Sequence, residues 1–281
     1  MSKVIFLDVD GTLINYQTYL PKSAEKAVNE ARRNGHRVYI CTGCGKDEIS
    51  HRDFRTMELD GMIGGNGVYV EDHDHVVYFN PLSAKDTKDI VDWCYKRGLG
   101  VILESNAGMF VDDLFLKQGA EAMAKYASGK GKVIADIEEF NKQIMKQYTP
   151  LSRKELYRND INKISYILGS YQDHLDAKRD FPHLVENTWG GKGEMALFGD
   201  IGPSGIDKKY AIKILLDYLN IDPKDTIAFG DANIDISMFE VCGYGVAMGN
   251  GGEGIKEAAD YITDDVDHDG LYNAFKYLKL I

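Results

Sequence analysis

Four consecutive apolar residues, Val4 to Leu7, run straight into Asp8-Val9-Asp10-Gly11. The run is too short for a helix and shows no polar alternation, so it reads as a strand buried on both faces. The same device recurs. Val38 to Cys41 leads into Thr42-Gly43, and Thr226 to Phe229 leads into Gly230-Asp231. Between the first two runs, Ala24, Ala27, Val28 and Ala31 fall at helical spacing within Pro21 to Asn34. Ser23 is the candidate cap there and Gly35 the candidate stop. Strand, helix and strand in succession make a βαβ unit, which requires parallel strands.

The tail repeats the scheme. Lys208 to Leu219 reads as an amphipathic helix, Ile236 to Glu240 begins another, and Tyr244 to Met248 and Tyr261 to Thr263 are short strands. The middle differs. Val68 to Val70 and Val76 to Phe79 flank Asp72-His73-Asp74-His75 as a hairpin, and Asn80-Pro81 is an exit point. From Ser83 to Trp189 a second α/β set follows, with a helix around Ile90, Val91 and Cys94 and strands at Val101 to Leu103 and Ile164 to Leu168. Gly190-Gly191-Lys192-Gly193 is a glycine-rich return. The fold class is therefore α/β. A doubly wound parallel-sheet core is built from residues 1–82 and 190–281, and a smaller α/β domain, residues 83–189, is inserted in it.

A length of 281 residues suits that plan, and 44% apolar with 27% charged residues is ordinary for a globular chain. The net charge of −11, with no basic run to offset it, argues against a nucleic-acid partner. No window approaches the length of a membrane span, and the N-terminus reads as a strand instead of a signal peptide. Four cysteines are too few for a disulfide scaffold. The expectation is a reduced, cytoplasmic protein.

Asp8, Thr42 and Asp231 each follow a strand of the parallel sheet. The carboxyl edge of such a sheet is where ligands bind, so segments far apart in sequence meet there. Asp8, Asp10, Asp231 and Asp235 would then crowd together, which is costly unless a cation neutralises them. Hard oxygen ligands with room for phosphate and water suit Mg²⁺. Of the two carboxylates in Asp8-Val9-Asp10, one can attack phosphorus and the other can serve the leaving oxygen and then water. Gly11 lets the backbone approach a phosphate, Thr42 offers a hydroxyl and backbone N–H groups, and Lys208 can balance phosphoryl charge.

The ordered set resembles the haloacid dehalogenase superfamily. Asp8 to Leu13 (DVDGTL) is similar to its first signature, Thr42-Gly43 to its second, Gly205-Ile206-Asp207-Lys208 to its lysine signature, and Gly230 to Asp235 to its acidic fourth. Asn66-Gly67, Ala247 to Asn250 and Asp269-Gly270 extend the likeness to the Cof-type, class IIB subgroup, in which a large α/β cap is inserted. The resemblance implies that Asp8 is the nucleophile and Asp10 the general acid and base. Gly11, Thr42, Gly43 and Lys208 would hold the phosphoryl group, and Asn250 would reach the phosphate or the outer shell of the metal. Mg²⁺ would be held by the Asp8 carboxylate, the Asp10 carbonyl and Asp231, with Asp235 close by. Two departures stand out. Cys44 replaces the usual arginine of the second signature, and Ile234 occupies the usual asparagine position of the fourth.

The activity expected is hydrolysis of a small phosphate monoester, a sugar phosphate or a phosphorylated cofactor, under the cap. A phosphomutase and a non-catalytic phospholigand-binding protein are the alternatives. Oligomeric state is left open. Other motifs have plainer readings. Cys41-x-x-Cys44 resembles a redox pair by position, yet Cys41 belongs to an apolar run. Asp265-x-Asp267-x-Asp269-Gly270 starts like a calcium loop but lacks the acid at its twelfth position, and it reads as a solvated turn. His73 and His75 read as surface histidines in the hairpin turn, and the insert aromatics Trp93, Tyr126, Tyr148, Tyr157 and Trp189 as core.

Overall fold

A computed structural model describes residues 2–129, 131, 133–191 and 193–281. In chain order its strands are β1 (Val4–Leu7), β2 (Arg37–Cys41), β3 (Gly61–Gly64), β4 (Tyr69–Asp72), β5 (His75–Phe79), β6 (Val101–Ser105) and β7 (Gly108–Val111). They continue as β8 (Tyr148–Pro150), β9 (Ile161–Ile167), β10 (Leu184–Trp189), β11 (Phe198–Pro203), β12 (Thr226–Gly230), β13 (Tyr244–Ala247) and β14 (Tyr261–Ile262). The chain divides into two compact units. The first is Met1–Cys44, Ile49–Phe79 and Ile206–Ile281, and the second is Gly45–Glu48 with Asn80–Gly205.

The first unit holds an eight-stranded sheet in the order β14-β13-β12-β1-β2-β3-β4-β5. From β14 to β3 all neighbours are parallel, and the hairpin β4–β5 adds two antiparallel strands at one edge. β1 shows why this sequence makes such a sheet. Its alternate residues enter two separate cores. Ile5 and Leu7 pack with Ala24, Ala27, Val28 and Ala31 of the helix Lys22–Arg33 and with Leu271, Ala274 and Phe275 of the helix Gly270–Tyr277. Val4 and Phe6 pack with Ala211, Ile212, Leu215 and Leu216 of the helix Lys208–Leu219. A strand burying both faces this way must be apolar throughout.

The second unit carries a six-stranded sheet, β10-β11-β9-β6-β7-β8, antiparallel except for β7 with β8. Leu103, Ile164 and Tyr166 meet Ile90, Val91 and Cys94 of the helix Ala84–Arg97 and Ala177 of the helix Tyr171–Asp180. Trp93 and Tyr148 are buried, as expected of core aromatics.

Two details differ from the sequence reading. Ser23 is not the cap of the first helix. Pro21, extended at φ −60° and ψ 133°, is the N-cap residue, and no side-chain cap bond forms. The return to the first unit comes after Gly205 instead of at residue 190, because Phe198–Pro203 pairs with β9 and β10. Lys192 of the expected return lies outside the described residues.

Candidate active site

Asp8, Thr42 and Asp231 are the first residues after β1, β2 and β12, at the carboxyl edge of the parallel sheet. β1 lies between β2 and β12, so the strand order reverses there and the loops diverge to leave a crevice. Leu7 is opposite Phe229, and the Asp8 N–H donates to the Phe229 carbonyl at 3.0 Å. That register brings Asp8 and Asp231 side by side although 223 positions separate them in sequence.

Oxygens of Asp8, Asp231 and Asp235 all lie within 4.8 Å of one another, and all three side chains are buried. Lys208, the first residue of its helix, is 1% exposed. Its Nζ donates to Asp8 Oδ1 at 2.6 Å and to Asp235 Oδ1 at 2.6 Å. Asp207 fixes the start of that helix by accepting from the Tyr210 N–H at 2.7 Å. Asp235 Oδ2 accepts from the N–H groups of Asp231 at 3.2 Å and Ala232 at 3.1 Å, which pins the loop after β12.

Burial, and then repulsion from Asp235, pushes the Asp8 carboxyl well above the usual range, although Lys208 opposes both. Burial pushes Asp231 up to about 6, against the hydrogen bonds it accepts from Tyr16 and Thr12. Burial works against charge on Lys208 too, but Asp235 and Asp8 outweigh it and hold the ammonium above its ordinary value. One ammonium shared among these carboxylates leaves excess negative charge in a buried place. All the spare donors are hard oxygens, which fits a small divalent cation such as Mg²⁺.

The remaining expected residues lie nearby in the first unit. Gly11 adopts φ +96°, and a Cβ there would strike the Asp231 carboxylate, so glycine is required. The Thr42 hydroxyl accepts from the Cys44 N–H at 3.2 Å, and the Asn66 N–H donates to the Thr42 carbonyl at 3.0 Å. A Cβ on Gly43 would sit 3.1 Å from Asn66 Oδ1, so the Asn66-Gly67 turn lies against Thr42-Gly43. Asp10 is not part of the three-carboxylate group. Its Oδ2 lies 3.8 Å from Cys44 Sγ and its Oδ1 3.5 Å from Arg52 Nη2. Asn250 spends both polar ends on the backbone, donating to the Gly11 carbonyl at 2.8 Å and accepting from the Val266 N–H at 2.9 Å. It braces the Gly11 loop. Ile234, at the departing position of the fourth signature, is 51% exposed.

Sequence reasoning missed three neighbours. Thr12 Oγ1 donates to Asp231 Oδ1 at 3.2 Å, and the Tyr16 hydroxyl donates to Asp231 Oδ2. Arg52 reaches Asp10. Thr12 at least lay within a recognised signature, whereas Tyr16 and Arg52 lay in loops with no periodic or motif signal.

The plainer readings of other motifs hold up physically. Burial pushes the Cys41 thiol up, the opposite of what redox exchange needs, and none of the four cysteines is in a disulfide. Asp265 accepts from the Asp267 N–H at 2.9 Å and Asp267 from Asn15 Nδ2 at 2.7 Å, so these acids organise a turn. His75 stacks on Tyr218 with 5.7 Å between ring centroids. No described helix is long and apolar enough to cross a membrane.

A doubly wound sheet with buried acids and a lysine at its switch point is the arrangement expected of a phosphoryl-transfer hydrolase, and comparison with known proteins gives the family. The haloacid dehalogenase-like hydrolase family matches residues 5–275, and the chain belongs to that family. It is 29% identical over 280 residues to the putative phosphatase YkrA of Bacillus subtilis, covering 100% of this chain and 99% of that protein. A hypothetical protein from Geobacillus kaustophilus superposes with a TM-score of 0.81 at 27% identity, with both chains fully covered at 100%. The subclass IIB sugar phosphatase BT4131 shares the fold, with a TM-score of 0.75, 24% identity and 100% coverage of both chains.

Proposed function

We propose that this chain hydrolyses a small phosphate monoester with the help of Mg²⁺, through a phosphoryl group carried briefly on Asp8. Phosphatase activity follows from the family and from its relatives. The metal, the intermediate and the substrate are the further reading. One observation carries it. Lys208 bridges Asp8 and Asp235 at 2.6 Å each, within a buried acid cluster completed by Asp231.

Asp8 and Asp231 would hold the cation, with the Asp10 carbonyl and Asp235 in support. When bound, Mg²⁺ supplies charge neutralisation for the phosphoryl oxygens. The protein's own groups account for the rest. An Asp8 oxygen forms a bond to phosphorus as the ester P–O bond breaks, and Asp10 gives its proton to the leaving oxygen. Water then attacks phosphorus, Asp10 takes the water proton, and the bond to Asp8 breaks to release inorganic phosphate. Lys208 keeps its charge throughout and holds Asp8 in place. By resemblance, substrate selection belongs to the inserted unit. The sugar phosphatase among the structural relatives supports a sugar phosphate or similarly sized ester as substrate.

The test is turnover of 4-nitrophenyl phosphate with Mg²⁺, with excess chelator, and in variants. Asp8→Asn and chelation should each bring the rate to background. Asp10→Asn should lower it by about 10²–10⁴. Equal rates in wild type and Asp8→Asn would remove Asp8 as nucleophile, and full activity in chelator would remove the metal.

A further inference from the structure

Of the site's carboxylates, Asp10 stands apart from the buried acid cluster. Its two proton transfers, which belong to the reading above, need the carboxyl fixed beside the leaving oxygen. The second signature would ordinarily place an arginine at position 44. Cys44 stands there, and its Sγ is 3.8 Å from Asp10 Oδ2. A thiol is a weak donor and orients a carboxylate poorly. The other Asp10 oxygen lies 3.5 Å from Nη2 of Arg52, in the loop after the short helix Lys46–Ser50. The Arg52 side chain is only 19% exposed, and its guanidinium nitrogen is set against this acid. A guanidinium stays charged at every working pH, and its planar fork fixes the orientation of a carboxylate as an ammonium does not.

We propose that Arg52 is the positioning residue for Asp10, supplying from a neighbouring loop the cation that the second signature lacks at Cys44. Arg52 exchanges no proton. The proton passes from Asp10 to the leaving oxygen as the ester bond breaks, and later from water to Asp10. Loss of Arg52 therefore slows the water step for every ester alike, and in the first step, which kcat/KM reports, it penalises esters whose leaving oxygen needs that proton and largely spares esters that leave without it.

The experiment compares 4-nitrophenyl phosphate, an ester of an acidic phenol, with 4-methylphenyl phosphate, an ester of a basic one. The full chain with Mg²⁺ is used, as wild type, Arg52→Ala, Arg52→Lys, Asp10→Asn and Arg52→Ala combined with Cys44→Arg. The ratio of kcat/KM for the two esters leaves out the shared water step and does not depend on how much protein is folded, so a poorly folding variant still reports. Arg52→Ala should shift that ratio about tenfold against the methylphenyl ester and lower kcat for both esters. Asp10→Asn should shift the ratio the same way and further, and Arg52→Lys should recover part of the loss. Cys44→Arg should restore the ratio in the Arg52→Ala background. An unchanged ratio in Arg52→Ala, or an effect on KM alone, overturns the proposal while leaving the phosphatase reading intact. An uncorrected ratio in the double variant overturns the equivalence with position 44. A folded wild type that turns over neither ester overturns the phosphatase reading, and the role of Arg52 falls with it.

Discussion

Asp231 shows how much of this site rests on single hydroxyl groups. Its two oxygens accept from Thr12 and from Tyr16. Partners of that kind hold a carboxylate at one angle before a cation arrives, and losing one typically costs 10–100-fold in metal affinity. Tyr16→Phe keeps the ring and removes only the donor. Titration calorimetry should show Mg²⁺ binding weakened by about tenfold, with the melting temperature of the metal-free protein little changed. Unaltered affinity would mean that Tyr16 merely packs against the site. Tyr16 also marks the limit of what the sequence reveals at this scale. Asp8, Thr42 and Asp231 were legible because a buried strand ends immediately before each of them. Lys208 was legible because it opens an amphipathic helix. Tyr16 and Arg52 reach their acids across irregular loops, where no period ties position to direction. Asn250 was expected to reach the phosphate or the outer shell of the metal, whereas its side chain braces the Gly11 loop, since both of its polar ends have backbone partners.

A cationic residue at the first position of a helix opposes the helix dipole, which favours negative charge at that end. Lys208 tolerates the place because Asp8 and Asp235 each accept from it at 2.6 Å, and because Asp207 caps the helix. Asp207→Ala should cost about 1 kcal/mol in urea unfolding, and Asp207→Ser, which keeps a capping oxygen, clearly less. Equal losses in both variants would show that the cap bond is not what matters there. The elements least legible in sequence were those of the inserted sheet. The glycine-rich stretch at 190–193 reads as the return to the core, yet Phe198–Pro203 beyond it still pairs with β9 and β10. Gly199 is in fact a strand residue whose missing Cβ makes room for the Tyr166 ring and Glu186 on the neighbouring strands. In β1 no such conflict arose, because local pattern and tertiary burial demand the same residues.

Buried carboxyl groups in both units make the stability of the whole molecule depend on pH, and the proposed metal site would tie part of that dependence to Mg²⁺. Burial pushes Glu186 up to about 8 and Glu104 up to about 7 in the second unit, and Asp231 up to about 6 in the first, with Asp8 also raised. Each of these groups binds its proton more tightly folded than unfolded. The contribution of Glu186, Glu104 and Asp231 is therefore fully present below the ordinary carboxyl range and is lost as pH rises through their raised values, between about 4 and 8, and that of Asp8 runs in the same direction. Acids held by surface partners, such as Asp92 with Arg153 and Lys88, are shifted downward and act only below that window. Metal-free protein should accordingly melt at a lower temperature at pH 8 than at pH 5.5. Mg²⁺ at the proposed site would act on part of this loss. It would favour the ionised forms of Asp8 and Asp231, so at 100 times its dissociation constant it should stabilise by about 2.7 kcal/mol, provided the acids are free of protons. The gain in melting temperature from Mg²⁺ should therefore be large at pH 7.5 and shrink at pH 5, where protons compete for the same oxygens. Glu186→Gln separates the two contributions. It removes one of the two raised titrations in the second unit while leaving a group that can still accept from the Tyr166 hydroxyl, which lies 2.6 Å from Glu186 Oε1. The variant should reduce the alkaline loss of stability without altering the response to Mg²⁺. A Mg²⁺ response of the same size at both pH values would show that the cation binds somewhere other than this acid cluster.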